Sequence, residues 1–153
     1  MDKKVLTLCI VHQGDQVLLG MKKRGFGEGR WNGFGGKVHE GENIEEAMLR
    51  ELEEETGLRL TAFEKRGVLE FQYQNDENKI HETHLFCATE FEGEPQESEE
   101  MRPQWFSVNE IPLESMWPDD RYWLPLFLEG KRFKGEFLFQ DFNTILEYKV
   151  EKL

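Results

Sequence analysis

Cysteine is scarce in this chain, with two residues, Cys9 and Cys87, among 153. Both fall inside apolar, alternating runs that read as strands, which excludes a disulfide framework and a cysteine zinc site and fits a reducing compartment. No apolar run approaches the roughly 18 residues that a membrane-spanning helix needs. The start, Met1-Asp2-Lys3-Lys4, opens neither an apolar leader nor an arginine-rich, acid-poor presequence. The expectation is a cytoplasmic protein with at most a minor mitochondrial or nuclear share, and no membrane partner. Positive charge is short too: 19 Lys and Arg against 31 Asp and Glu leave a formal net charge of -12. A nucleic acid polymer is a poor partner for such a surface, because binding its backbone requires basic groups that displace counterions. His12, His39 and His84 show neither metal-ligand spacing nor a nucleophile partner, and no nucleophilic triad is visible.

What is present is a folding composition. Apolar residues make up 38% and aromatics 12%, twelve of them Phe, too many for a disordered acidic chain. The length suits one domain spanning 1–153, with no linker, repeat or low-complexity stretch, and a monomer is the default expectation. Residues 5–11 and 16–19 read as a hairpin around a turn at 13–15. Six glycines within 25–36, set among Phe26, Arg30, Trp31, Asn32 and Phe34, read as a loop with aromatic anchors. Asn43 as N-cap, Glu46 in the capping-box place and Gly57 as a left-handed stop predict a helix over 44–56. Strands are predicted over 67–74 and 80–91, around a polar turn at 75–78, and over 104–108, 133–140 and 144–148. A second helix is predicted over 118–129, with a kink possible at Pro125. The fold class expected is mixed α and β (α+β), an α/β/α sandwich with a mixed sheet.

The first helix carries the chemistry. At about 100° per residue, Ile44, Ala47, Met48 and Leu52 share one arc, and Glu51 and Glu55 fall inside it. A carboxylate on a core-facing stripe must be paired, hydrogen-bonded, neutralised or bound to a cation, because burying it bare costs several kcal/mol. Glu51 and Glu55 lie one turn apart with Glu54 alongside, so their like charges converge. A divalent cation relieves that repulsion, and magnesium suits it by preferring oxygen ligands and joining protein carboxylates to phosphates. A buried salt-bridge network with Lys or Arg is the alternative, while Glu45, Glu46 and Glu53 read as solvated helix formers. Arg50 is placed to orient a neighbouring carboxylate. Lys22, Lys23, Arg24 and Arg30 form a locally basic stretch suited to phosphates, or simply an exposed turn. Asp119 and Asp120 by themselves read as an N-cap and a first-turn acid, and Trp117, Phe71 and Phe139 as core residues.

From Gly36 the spacing runs five residues to Glu42, then seven to Arg50-Glu51-Leu52-Glu53-Glu54-Glu55-Thr56-Gly57-Leu58. This pattern resembles the whole Nudix box, which is far more restrictive than a lone glycine motif. Further stretches, Leu18 to Gly27, Gly29 to Val38, Glu100-Met101-Arg102-Pro103 and Met116-Trp117-Pro118-Asp119-Asp120, resemble the MutT-type animal group within that family, which acts on oxidised purine nucleoside triphosphates such as 8-oxo-dGTP. The resemblance covers nearly the whole chain.

The resemblance implies a loop, helix and loop on a mixed sheet, with Glu51, Glu54 and Glu55 as catalytic residues. Glu55 is implied as the principal metal ligand, Glu51 and Glu54 as further ligands or as the base, and the Gly36 carbonyl and Glu100 as additional ligands of magnesium, with manganese able to substitute. It implies that Asn32, Asp119 and Asp120 read the purine edge and that Trp117 stacks on the base. Thr7, Phe26, Gly35, Gly36, Phe71, Met101 and Phe139 line the substrate site, and Lys22 approaches the sugar. The expected partner is a small nucleoside triphosphate, cleaved to monophosphate and pyrophosphate, which sanitises the nucleotide pool. The turn at 75–79 and His81 depart from the group's pattern and bear on substrate ranking. Rival readings are a family member acting on another nucleoside diphosphate-linked substrate, a non-catalytic nucleotide-binding module, and a calcium-binding protein.

Overall fold

Alternation along the first strand builds two cores at once. Cys9 and Val11 face one side of the sheet and Ile10 the other, and in the next strand Leu18 faces opposite to Val17 and Leu19. The computed structural model describes residues 2–153. In chain order the elements are β1 (Asp2–Gln13), β2 (Gln16–Lys22), β3 (Trp31–Asn32), α1 (Ile44–Thr56), β4 (Arg59–Tyr73), β5 (Asp76–Glu92), β6 (Met101–Ser107), a single 3-10 turn at Leu113–Ser115, α2 (Asp120–Leu128), β7 (Phe133–Asp141) and β8 (Thr144–Lys152). The strands join in one sheet in the order β3-β2-β1-β5-β4-β7-β8, with β6 also paired to β2. The β1–β5 and β4–β7 pairs are parallel and the other pairs antiparallel, so the expected mixed sheet is present.

Met48 and Leu52 of α1 pack with Cys9, Val11, Leu18, Phe34 and Phe86 on one face. Trp123, Leu124 and Phe127 of α2 pack with Ile10, Leu85, Cys87, Phe133 and Phe137 on the other. A sheet with a helix on each side lets both faces leave water, as alternating apolar strands require. Cys9 and Cys87 are buried free thiols. No helix among the described residues is long and apolar enough to cross a membrane.

Several boundaries differ from the sequence expectation. β4 begins at Arg59 rather than 67, and its pairing with β5 is broken by irregularities at Leu60/Ala62, Ala62/Phe63 and Lys65/Gly67. Each bulge resets the two-residue period that marks a strand, so the first half of β4 has no continuous alternation to read. The polar turn is shorter than expected, since Tyr73 already pairs with Asp76 and only Gln74 and Asn75 lie between. α2 begins at Asp120 and continues through Pro125 to Leu128.

Candidate active site

The glycine-rich loop before α1 is laced onto β1. Thr7 N donates to the Gly36 carbonyl at 2.9 Å, and Val38 N donates to the Val5 carbonyl at 3.0 Å. Cys9 N donates to the Phe34 carbonyl at 2.6 Å and Phe34 N returns to Cys9 at 2.8 Å. At Gly35 a Cβ would overlap the Thr7 carbonyl, and at Gly36 it would lie 2.6 Å from the Glu51 carboxylate. Glycine is needed at both positions because the loop backbone is pressed between β1 and a side chain of α1.

α1 starts where Asn43 accepts from Glu46 N at 2.8 Å and ends at Gly57, whose φ of 79° is left-handed. These caps fix the rotation that turns Ala47, Met48, Leu52, Glu55 and Thr56 inward. Glu55 is 7% exposed, and its Oε1 accepts from Gly35 N at 3.0 Å. Burial first, and then the charge of Glu51, push its carboxyl up to about 8. Arg50 binds the neighbouring acids: Nε donates to Glu42 Oε2 at 2.6 Å and Nη1 to Glu51 Oε1 at 2.9 Å, with Glu54 Oε2 at 3.3 Å. The Arg50 hydrogen bonds bring the Glu42 carboxyl down to about 2. Glu54 is exposed, so of the three box acids the fold turns Glu51 and Glu55 toward the loop and leaves Glu54 at the rim.

A cavity of about 380 Å³ runs from Glu55, Gly35 and Gly36 to the start of α2. It is lined by Thr7, Lys22, Phe26, Asn32, Phe71, Met101, Trp117, Asp119, Asp120 and Phe139, so the sequence-derived substrate residues meet in one place. Lys22 and Glu100 flank the carboxylate end, where Lys22 Nζ donates to Glu100 Oε2 at 2.9 Å. Glu100 also pairs with Arg24, on the exposed side. Lys23 and Arg24 spend their charge on Glu97, Glu99 and Glu100 and do not line the cavity. Arg30 lies with its guanidinium carbon 4.3 Å from the Trp117 ring centroid.

At the far end Asp119 and Asp120 are 4% and 2% exposed. Asp119 occupies the N-cap position of α2 but makes no capping bond; its Oδ2 accepts from the buried Trp123 indole at 2.8 Å. Asp120 Oδ2 has no hydrogen-bond partner among the described residues, and neither has Thr7 Oγ1. Burial raises both aspartic acids, and the charge of Asp119 raises Asp120 further. Adjacent buried acids of this kind titrate as a pair rather than singly. Asn32, which lines the cavity, has its Oδ1 accepting from Gly33 N at 2.9 Å.

Sequence reasoning missed Tyr73, Thr83, Leu69 and Trp123, which also line the cavity. The three strand residues showed only ordinary alternation on β4 and β5, and Trp123 only the apolar face of α2, each indistinguishable from core packing. His81 lines the cavity too, with its ring centroid 5.3 Å from that of Tyr73. His84 is buried against Glu82 at 2.7 Å, and His39 is exposed.

Among the described residues no three acidic, histidine or cysteine side chains are already drawn together as a ligand set. The donors nevertheless suit a hard divalent cation. Glu55 is a buried carboxyl that forms no salt bridge among the described residues, and Glu51 and Glu55 repel each other across the Gly35–Gly36 backbone.

The NUDIX domain family model matches residues 2–127. This chain belongs to the Nudix family. The Nudix box is thus the loop and helix from Gly36 to Leu58, with its Glu55 in the wall of the cavity just described. An oxidized purine nucleoside triphosphate hydrolase of zebrafish (Danio rerio) is 52% identical over 150 residues, covering 98% of this chain and 96% of the relative. The mouse (Mus musculus) protein of the same name is 51% identical over the same shares. The crystal structure of a MutT protein from Bacillus halodurans superposes with a TM-score of 0.86 at 32% identity, covering 97% of each chain.

Proposed function

We propose that this Nudix protein is a magnesium-dependent pyrophosphohydrolase, with manganese able to substitute, that converts oxidised purine nucleoside triphosphates, 8-oxo-dGTP foremost, to monophosphate and pyrophosphate. The observation that carries this reading is the cavity, with Glu55 of the box at one end and an adjoining pair of buried aspartic acids at the other. A volume of about 380 Å³ is of the size that ligand sites offer, about 300–1,000 Å³. The 51–52% identity to proteins named for the same activity supports it.

In this reading the phosphates lie toward Lys22 and the box, and the purine enters between Trp117 and the α2 start. One of Asp119 and Asp120 keeps its proton and donates while the other accepts, and Asn32 adds a donor. Exchange of that proton lets one pocket read oxidised guanine and oxidised adenine. Glu51, Glu54, Glu55 and the Gly36 carbonyl, with Glu100 if it leaves Lys22, would hold the cation. When bound, it would neutralise phosphate charge and ease deprotonation of the attacking water. That water's oxygen bonds to the innermost phosphorus, the bond from this phosphorus to the bridging oxygen breaks, and pyrophosphate leaves. A box carboxylate takes the water's proton, and Arg50 holds Glu51 in place for the task. The protein is expected to act as a cytoplasmic monomer.

The test is a hydrolysis panel of normal and oxidised nucleotides with and without magnesium, products identified by mass, beside Glu55→Gln. The expected result is preference for oxidised purines, release of pyrophosphate, and a loss of about 10²–10⁴-fold in kcat for Glu55→Gln. Equal turnover by wild type and variant would sink the reading.

A further inference from the structure

Trp117 is gripped from a segment that no motif marks, the turn between β7 and β8. Phe142 sits at the tip of that turn, 49% exposed, where small polar residues are the usual choice. Its ring stands edge-on to three others: 5.9 Å from Trp117 at 89°, 5.1 Å from Phe26 at 86° and 5.8 Å from Tyr73 at 74°. Such T-shaped pairs place the positive edge of one ring on the negative face of another, which makes the contact directional.

The next residue holds Trp117 by a second route. Asn143 Oδ1 accepts from Arg30 Nη2 at 2.5 Å, and Arg30 in turn lies over the Trp117 indole at 4.3 Å. The turn itself is closed by Asn143 N donating to Asp141 Oδ1 at 2.8 Å. Phe26, on its glycine-flanked loop, completes the arrangement by stacking on Trp117 at 5.0 Å and 29°.

We propose that Phe142 and Asn143 are positioning residues that fix the ring plane of Trp117 and thereby set the affinity for the base. The inference rests on the reading of Trp117 as the base platform. A platform held in place before binding loses less side-chain freedom when the base arrives. Because the reacting phosphates lie at the other end of the cavity, the clamp acts on binding of ground state and transition state alike, so KM changes and kcat does not.

The experiment measures KM and kcat separately for 8-oxo-dGTP with Phe142→Ala, Phe142→Tyr, Asn143→Ala and Trp117→Ala, each checked for an unchanged melting temperature. Phe142→Ala should raise KM about tenfold with kcat within about twofold, Phe142→Tyr should restore KM to within about threefold, and Asn143→Ala should raise it about threefold. A KM unchanged in Phe142→Ala while Trp117→Ala raises it overturns the clamp alone. A KM unchanged in Trp117→Ala overturns the base-platform reading and the clamp with it. A kcat that falls in step with the rise in KM, or a Phe142→Tyr as impaired as Phe142→Ala, also overturns the clamp.

Discussion

Asp119 shows how one side chain's surroundings decide its role. An acid just before a helix ordinarily caps it, but here the indole of Trp123, four residues on and buried, takes the carboxylate as its acceptor. Asp120, in the cavity, is left with Oδ2 unpaired among the described residues, and its carboxyl is raised by burial and by Asp119. If the pair reads the base by sharing a proton, removing either titrating group changes which bases are accepted. Asp119→Asn and Asp120→Asn should each shift the ratio of kcat/KM for oxidised guanine over oxidised adenine nucleotides by about tenfold to hundredfold. The dependence on magnesium concentration should stay as it was. A uniform loss across both substrates, with their ranking intact, would remove the proton-sharing account. The direct resemblance of Trp117-Pro118-Asp119-Asp120 to a base-reading segment was visible in the sequence, whereas the Trp123 bond that turns Asp119 away from capping was not.

At the scale of elements, α1 is the best specified, because its start and stop are written in local chemistry. Asn43 satisfies one of the exposed N–H groups of the first turn, and Gly57 takes the left-handed conformation that ends it. The predicted span of 44–56 matches Ile44–Thr56 for that reason. Asn43→Ala should cost about 1 kcal/mol, read as a lower urea midpoint with unchanged slope. No loss of stability would mean that the inward rotation of α1 is held by packing alone. β4 is the opposite case: its pairing depends on β5 and β7, distant in the chain, and its bulges have no local signature. The β7–β8 turn was likewise legible only as a gap between strands, and its contacts with Trp117 come from the fold.

For the whole molecule, the cost of gathering acids around one cavity appears as a dependence of stability on pH. Glu55 holds its proton more tightly folded, with a value up to about 8, than at its ordinary 4.5. Its contribution is therefore complete below about pH 4.5 and is lost as pH rises through 8. His81 and His84 are pushed down by burial, so their opposing contribution is confined to pH below their ordinary value of 6.5. Between about pH 6.5 and 8 the melting temperature of the metal-free protein should fall, and Glu55→Gln should make that slope shallower, the rest coming from Asp119 and Asp120, which burial also raises. Parallel profiles for wild type and variant in this window would show that Glu55 is not held protonated by the fold.

The sequence by itself determined the family and the limits of α1, because each is encoded by spacing within one box or one helix, and the mixed fold through the succession of strands and helices along the chain. Only the tertiary structure decided which of the box acids are dry, which cations are spent on other partners, and which rings surround Trp117. Those properties depend on neighbours brought together by the sheet from distant parts of the chain, such as Lys22 with Glu100 and Arg30 with Asn143. Burial and pairing are consequences of that assembly, and no local pattern of residues carries them.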